Sequence, residues 1–163
     1  MARAALRVRR GTRRDAGTIV GMIRGLAEYE RLLPQVEITP ARVLRHGFGR
    51  RPYFETLICR NGRRPVGFAL YFFTYSTFLG RPSLYLEDLF VLPGDRGLGA
   101  GTALLRALAR IATARGCGRM EWTVLDWNAP AIRFYKRIGA RLHSEWVLTR
   151  LKGAPLERLA RSR

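Results

Sequence analysis

This chain predicts a mixed α/β fold in one domain, on three observations. Its 163 residues suffice for one compact domain with a full core and hardly for two. Apolar residues recur at helical spacing over the first part, turn to strand-like runs in the middle, and alternate between the two afterwards. No internal repeat, linker or low-complexity tract breaks the order, so residues 1–163 read as a single domain.

Each element has a local reason. Ala4 to Arg10 is the first strand. Thr12, with Asp15 three residues on, starts a helix through a capping-box spacing, and Ile19, Ile23, Leu26 and Leu33 continue it until Pro34. Thr39-Pro40 opens a second, short helix that ends near Gly47, Thr as cap and Pro at the first helical position. The period then changes. Tyr53 to Arg60 and Pro65 to Tyr75 flank Asn61-Gly62, the strongest short hairpin signal. Leu84 to Leu92 is the next strand. Leu104, Leu105, Leu108, Ile111 and Ala112 line one side of a helix, Arg106 and Arg110 the other, and Gly116 closes it. Arg119 to Leu125 reads as strand, Ala129 to Ile138 as helix, Trp146 to Leu151 as a last strand, with a short helix from Ala154.

Charge is the loudest compositional fact: 30 Lys+Arg against 12 Asp+Glu, net +18. The arginines are scattered, and no strand interleaves them with aromatics as a base-stacking platform would, so nucleic acid is not the expected partner. Such a surface still attracts any polyanion, a phosphate-bearing cofactor included. No apolar run approaches the ~20 residues of a membrane span, and M-A-R-A-A-L-R-V-R-R lacks a secretory core. Cys59 and Cys117 match no metal or redox spacing and read as small hydrophobes in a reducing cytoplasm; no metal is expected. His46 and His143 have no partner spacing and read as structural. Trp122, Trp127 and Trp146 read as core or rim aromatics.

Tyr85 to Thr102 carries the chemistry: Y-L-E-D-L-F-V-L-P-G-D-R-G-L-G-A-G-T. A Walker loop needs Lys after its glycines, and none is there; a dinucleotide fingerprint needs glycine at position 102, which is Thr. A strand, a tight glycine turn and a helix start whose free amides bind phosphate fit instead. A plain strand–helix turn is the other reading, but one glycine would suffice for that, and three at alternate positions after an arginine favour phosphate. A side chain at Gly97, Gly99 or Gly101 would obstruct that approach.

R-G-L-G-A-G resembles the R/Q-x-x-G-x-G/A signature of the GNAT family of N-acetyltransferases. Y-L-E-D-L-F-V before it, W-T-V-L-D-W-N-A-P-A-I-R-F-Y-K-R-I-G-A after it and L-A-E-Y-E-R-L near the start resemble the spermidine/spermine and thialysine branch. The resemblance runs from Leu6 to about Leu151. It implies a GNAT fold, a mixed sheet of six to seven strands flanked by about four helices. It implies acetyl-CoA as co-substrate, direct attack by an amine in a ternary complex, and a homodimer.

It also implies roles. Amides of Arg96, Gly97, Leu98, Gly99, Ala100 and Gly101 would cradle the pyrophosphate. Leu89, Phe90 and Val91 would pair with the pantetheine arm as an added strand, with a backbone N–H near Leu89 on the acetyl oxygen. Glu87 would be the base, acting directly or through water. Burial in an apolar strand and the neighbouring Asp88 would raise its pKa. Strand alternation puts Asp88 on the other face, in a structural role. Asn128 and Tyr135 are seven apart, about two helical turns. By resemblance Asn128 would bind pantetheine and Tyr135 would protonate the thiolate; from spacing alone Tyr135 reads equally as a core tyrosine beside Phe134. Lys136 would reach the phosphates.

Glu28, Tyr29 and Glu30, with Glu37, form the densest acidic patch and line the acceptor groove in this family; a solvated helix face paired with Arg24 and Arg31 is the other reading. At Thr74 to Gly80 the chain has Ser76 and Phe78 where polyamine acetylases place an acid and a tryptophan. A diamine or a lysine-like acceptor such as thialysine suits that spelling better. Acetylation of a protein N-terminus or lysine, and a basic nucleic-acid-binding protein without catalysis, are the alternatives.

Overall fold

Leu6–Arg10 (β1) is the outer strand of a five-stranded sheet in a computed structural model that describes residues 6–162; Ala4 and Ala5 of the expected first strand lie outside them. The elements that follow are α1 (Ala16–Tyr29), α2 (Pro40–Gly47), β2 (Glu55–Asn61), β3 (Arg64–Ser76), β4 (Arg81–Val91), α3 (Ala100–Ala114), β5 (Arg119–Glu121), α4 (Ala129–Arg137) and α5 (Ala154–Arg161). Strand order is β1-β2-β3-β4-β5, antiparallel except for the parallel β4–β5 pair. The described residues divide into two compact units, the first running to Thr123 and the second from Val124.

The sequence signals act locally as expected. The Asp15 carboxylate accepts from the Thr12 amide at 2.7 Å, and the Thr39 hydroxyl accepts from Arg42 N at 3.2 Å. Gly62 takes a left-handed φ of 59° in the β2–β3 turn, with Asn61 as the last strand residue opposite Arg64. Gly116, at φ 68°, ends α3.

Alternation along β3 and β4 divides the core in two. Phe68, Leu70 and Phe90 join Ile58 and the α1 residues Ile19 and Met22 in one buried cluster. Gly67 turns the other way, where Leu104 of α3 packs. One glycine matters for the site. A Cβ on Gly25 would lie 2.8 Å from the Phe90 ring, so only glycine lets the end of α1 settle against β4.

Several expectations are corrected. The described sheet has five strands rather than six to seven, while its five described α-helices fit the expected flanking set. Trp146 to Leu151 is not a strand: no ladder includes it, and Trp146, Val147 and Leu148 are 76%, 84% and 68% exposed. β-forming residues make a strand only where a neighbour completes the hydrogen bonds. The same reason shortens Arg119 to Leu125 to the three residues of β5, which pair with Ser83 to Tyr85. α1 stops at Tyr29, short of Leu33, where Arg31 takes a left-handed φ of 61° and Leu33–Gln35 form a 3-10 turn. Of the two readings given to the tryptophans, core or rim, the exposure of Trp127 and Trp146 leaves the rim.

Candidate active site

β4 shapes the site in three ways. Its β5 partner ends at Tyr85, so among the described residues no strand pairs with that edge from Leu86 to Val91. The ladder to β3 skips one residue: Tyr71 faces Leu86 and Leu70 faces Asp88, leaving Glu87 as the extra residue of a β-bulge. A bulge re-aims side chains and leaves the extra residue out of the ladder. β4 then runs into the 3-10 turn Pro93–Asp95 and the glycine loop.

The bulge overturns the argument from strict alternation. Leu86 and Asp88, two apart, face opposite sides of the sheet, because Tyr71 and Leu70 do. Glu87 between them is exposed, and desolvation falls on Asp88 instead. Burial, then the nearby Glu87, then Glu30 push the Asp88 carboxyl up from 3.8 to about 7. The Glu30 carboxyl is raised as well, by burial. So the end of α1 and the bulge of β4 bring Glu30, Asp88 and Glu87 together. Glu28 and Glu37 point to solvent, and Glu37 pairs with Arg42 at 3.4 Å. No sequence signal announced Asp88 as part of this group, since a bulge depends on the register of two strands.

That pair has a consequence for stability. The folded state holds the Asp88 proton more tightly than the unfolded chain does, so stability falls as pH rises from about 4 to about 7. At roughly 1.4 kcal/mol per unit, discounted for partial exposure, the ionised form costs about 2 kcal/mol. Asp88→Asn is expected to melt about 5 °C higher than the unaltered chain near pH 8. The gap should narrow toward pH 5. A pH-independent gap in thermal melts would show that the carboxyl is not strained.

The glycine loop rests on fixed parts. Asp95, 6% exposed, accepts two bonds from Arg64 at 2.6 and 2.9 Å, which ties the loop's base to the start of β3 and holds the Asp95 carboxyl below its ordinary range. Gly97 and Gly99 have φ of 78° and 94°, and Gly99 is the N-cap of α3. Arg96, Gly97, Leu98 and Gly99 are exposed, Ala100 is buried, and Gly101 lies in the first turn of α3. No neighbour lies within 4 Å of a Cβ built on Gly97, so the space before the loop is open. The Arg96 guanidinium lies 4.7 Å from the centre of the Tyr29 ring and 5.9 Å from that of Phe90, and its Nε donates to the Val91 carbonyl at 3.2 Å. Arg96 thus joins the loop to the α1 residue next to Glu30. Leu89 and Val91 share one face of the unpaired β4 segment, and Phe90 fills the core.

Asn128, Tyr135 and Lys136 stand on α4 in the second unit. The buried Asn128 side chain accepts from Ala131 N at 3.3 Å, capping α4. Tyr135 is half-buried, tilted against Phe134 with ring centres 5.5 Å apart, and Lys136 is exposed. His46 stacks edge-on with Tyr53, and the exposed His143 pairs with Glu145 at 2.9 Å. Among the described residues no His/Cys/Asp/Glu group could hold a metal, and no helix is long and apolar enough to cross a membrane.

A sheet edge left open beside a glycine-turned helix start leaves room for an extended ligand along the strand. Comparison with known proteins narrows the reading. The profile described as the acetyltransferase (GNAT) family matches residues 28–140, and the chain belongs to that family of acetyltransferases, whose co-substrate is acetyl-CoA. It is 39% identical to the thialysine N-epsilon-acetyltransferase of Mus musculus over 96% of this chain and 98% of that protein. It is 45% identical to the L-ornithine N5-acetyltransferase NATA1 of Arabidopsis thaliana over 56% of this chain and 40% of that protein. Among solved structures, an integron cassette protein from the mobile metagenome of V. cholerae superposes with a TM-score of 0.81 at 29% identity, covering 97% of this chain and 99% of that one.

Proposed function

We propose that this enzyme moves the acetyl group of acetyl-CoA to a primary amine of a small diamine or lysine-like molecule such as thialysine. The observation that carries the reading is the cluster of Glu30, Asp88 and Glu87 at the bulge, where β4 loses its outer neighbour. On a surface of net +18, a cationic acceptor needs a local acidic site, and these three carboxyls supply it. Two of the relatives, named for thialysine and for L-ornithine, act by their names on small diamino acids.

The roles follow. Amides of the Arg96–Gly101 loop hold the pyrophosphate, with Lys136 reaching the phosphates. Leu89 to Val91 offer the open strand edge to pantetheine, helped by Asn128. Asp88 and Glu30 hold the incoming ammonium, with Tyr29 beside them. Glu87 takes the amine proton, directly or through water, the nitrogen attacks the thioester carbonyl, and the C–S bond breaks. Tyr135 gives its proton to the departing sulfur. Ser76 is buried and accepts from Leu79 N at 3.2 Å, so its hydroxyl serves the β3–β4 turn, and neither it nor the exposed Phe78 supplies the charge a long polyamine would use. The enzyme works as a homodimer in a reducing cytoplasm, its two cysteines free.

An amine panel followed by released thiol tests this. Thialysine, ornithine and short diamines should turn over at least about tenfold faster in kcat/KM than peptides with free N-termini, and faster than spermine. Peptides leading the panel would overturn the reading. The amine KM should fall from pH 6 to pH 8 with an apparent pKa near 7, because a protonated Asp88 cannot pair with an ammonium. That step should vanish in Asp88→Asn.

A further inference from the structure

The outer edge of the sheet carries a second charged feature. Arg7 pairs with Arg60, and Arg9 with Ile58, across the antiparallel β1–β2 ladder. Antiparallel partners share a face, so these arginines sit on the side of Ile58, where α1 packs. The β2–β3 ladder shifts register between Cys59 and Arg60, with Val66 of β3 as the extra residue, so β2 stays regular and Arg60 keeps the face of Ile58. Beyond the end of β1 the turn to α1 closes over this edge. The result is a cleft of about 580 Å³ lined by Arg9, Thr12, Arg13, Arg14, Asp15 and Arg60. None of these residues belongs to the glycine loop or to β4.

Four guanidinium groups face one carboxylate here, and that carboxylate is committed. Asp15 accepts from Arg9 Nη1 and Nη2 at 2.7 Å each, and from the Thr12 amide and hydroxyl at 2.7 and 2.8 Å. Arg13 donates to the neutral Phe48 carbonyl at 2.7 Å, and Arg60 to the Arg63 carbonyl. No carboxylate pairs with Arg13, Arg14 or Arg60 among the described residues. The Arg60 Nε is enclosed and has no hydrogen-bond partner, which a native chain rarely leaves unexplained. The start of α1, at Ala16, adds the positive end of a helix dipole.

We propose that this cleft is a second anion site, taking a chain of phosphates such as a free oligophosphate or a nucleoside triphosphate. Three unmatched guanidinium groups around one concavity repel each other, and forked N–H donors fit phosphate oxygens two at a time. One phosphate would leave part of that charge unmatched; two or three in tandem match it.

The test uses protein saturated with acetyl-CoA, so that donor binding does not compete. Sodium tripolyphosphate is titrated in by calorimetry at low salt. Expected is saturable one-site binding with Kd below about 1 mM, weakened about tenfold in Arg14→Gln/Arg60→Gln. Arg106→Gln/Arg110→Gln, on the exposed face of α3, removes the same charge and should leave binding within about twofold. If Arg60→Gln compromises folding, Arg14→Gln alone should still weaken binding about threefold. A parallel titration with ATP separates the sources: ATP at least about tenfold tighter identifies a nucleoside triphosphate, and equal affinity identifies the phosphate chain itself. No saturable heat, or equal weakening in both double variants, overturns the proposal.

Discussion

Tyr135→Phe is expected to lower kcat by about 10² to 10³-fold, the range that loss of a general acid commands, while the acetyl-CoA Kd changes less than about twofold. The substitution removes one hydroxyl and keeps the ring, so the packing against Phe134 survives. What it removes, on the proposed mechanism, is the proton for the departing sulfur. Expelling a bare thiolate leaves a full negative charge on sulfur, and a placed O–H relieves that cost. Turnover within about threefold of the unaltered enzyme would remove Tyr135 from the mechanism.

Much of the fold was legible because its causes are local. Thr12 with Asp15, Thr39 with Pro40, Asn61 with Gly62, and the leucines of α3 each specify an element within one or two turns of chain. The errors fall where the cause is distant. Trp146 to Leu151 has the composition of a strand, but a strand exists only through its neighbours, and its own residues cannot say whether they are there. The four-residue difference between Leu33 and the end of α1 at Tyr29 has the same origin. The helical spacing persists after the backbone has turned at Arg31.

The site divides in the same way. The glycines after Arg96 are readable, since the left-handed φ of Gly97 and Gly99 is a property of single residues. The bulge at Glu87 is not, because it arises from the offset between Leu70–Tyr71 and Leu86–Asp88 on two strands. Reasoning from one strand therefore missed the raised carboxyl of Asp88. Arg64 with Asp95, thirty-one residues apart, and Arg96 over Tyr29 were equally invisible, for they exist only once the chain has folded.

The glycine loop offers the other large effect. Gly99→Val is expected to raise the acetyl-CoA Kd by about 100-fold or more, because a branched Cβ at the helix N-cap would stand between the loop amides and the phosphate oxygens they approach to about 3 Å. Strain alone would not do this. A valine at φ 94° costs about 1–3 kcal/mol of stability, and the nearest atom to a Cβ there, Leu6 Cδ1 at 3.9 Å, is in ordinary contact. Gly62→Val is the matched control: a left-handed φ of 59° with nothing within 4 Å, at a hairpin that serves no proposed ligand. Both variants should lose similar melting temperature, and only Gly99→Val should lose the donor. If both bind acetyl-CoA alike, the loop's glycines serve the turn and not the pyrophosphate.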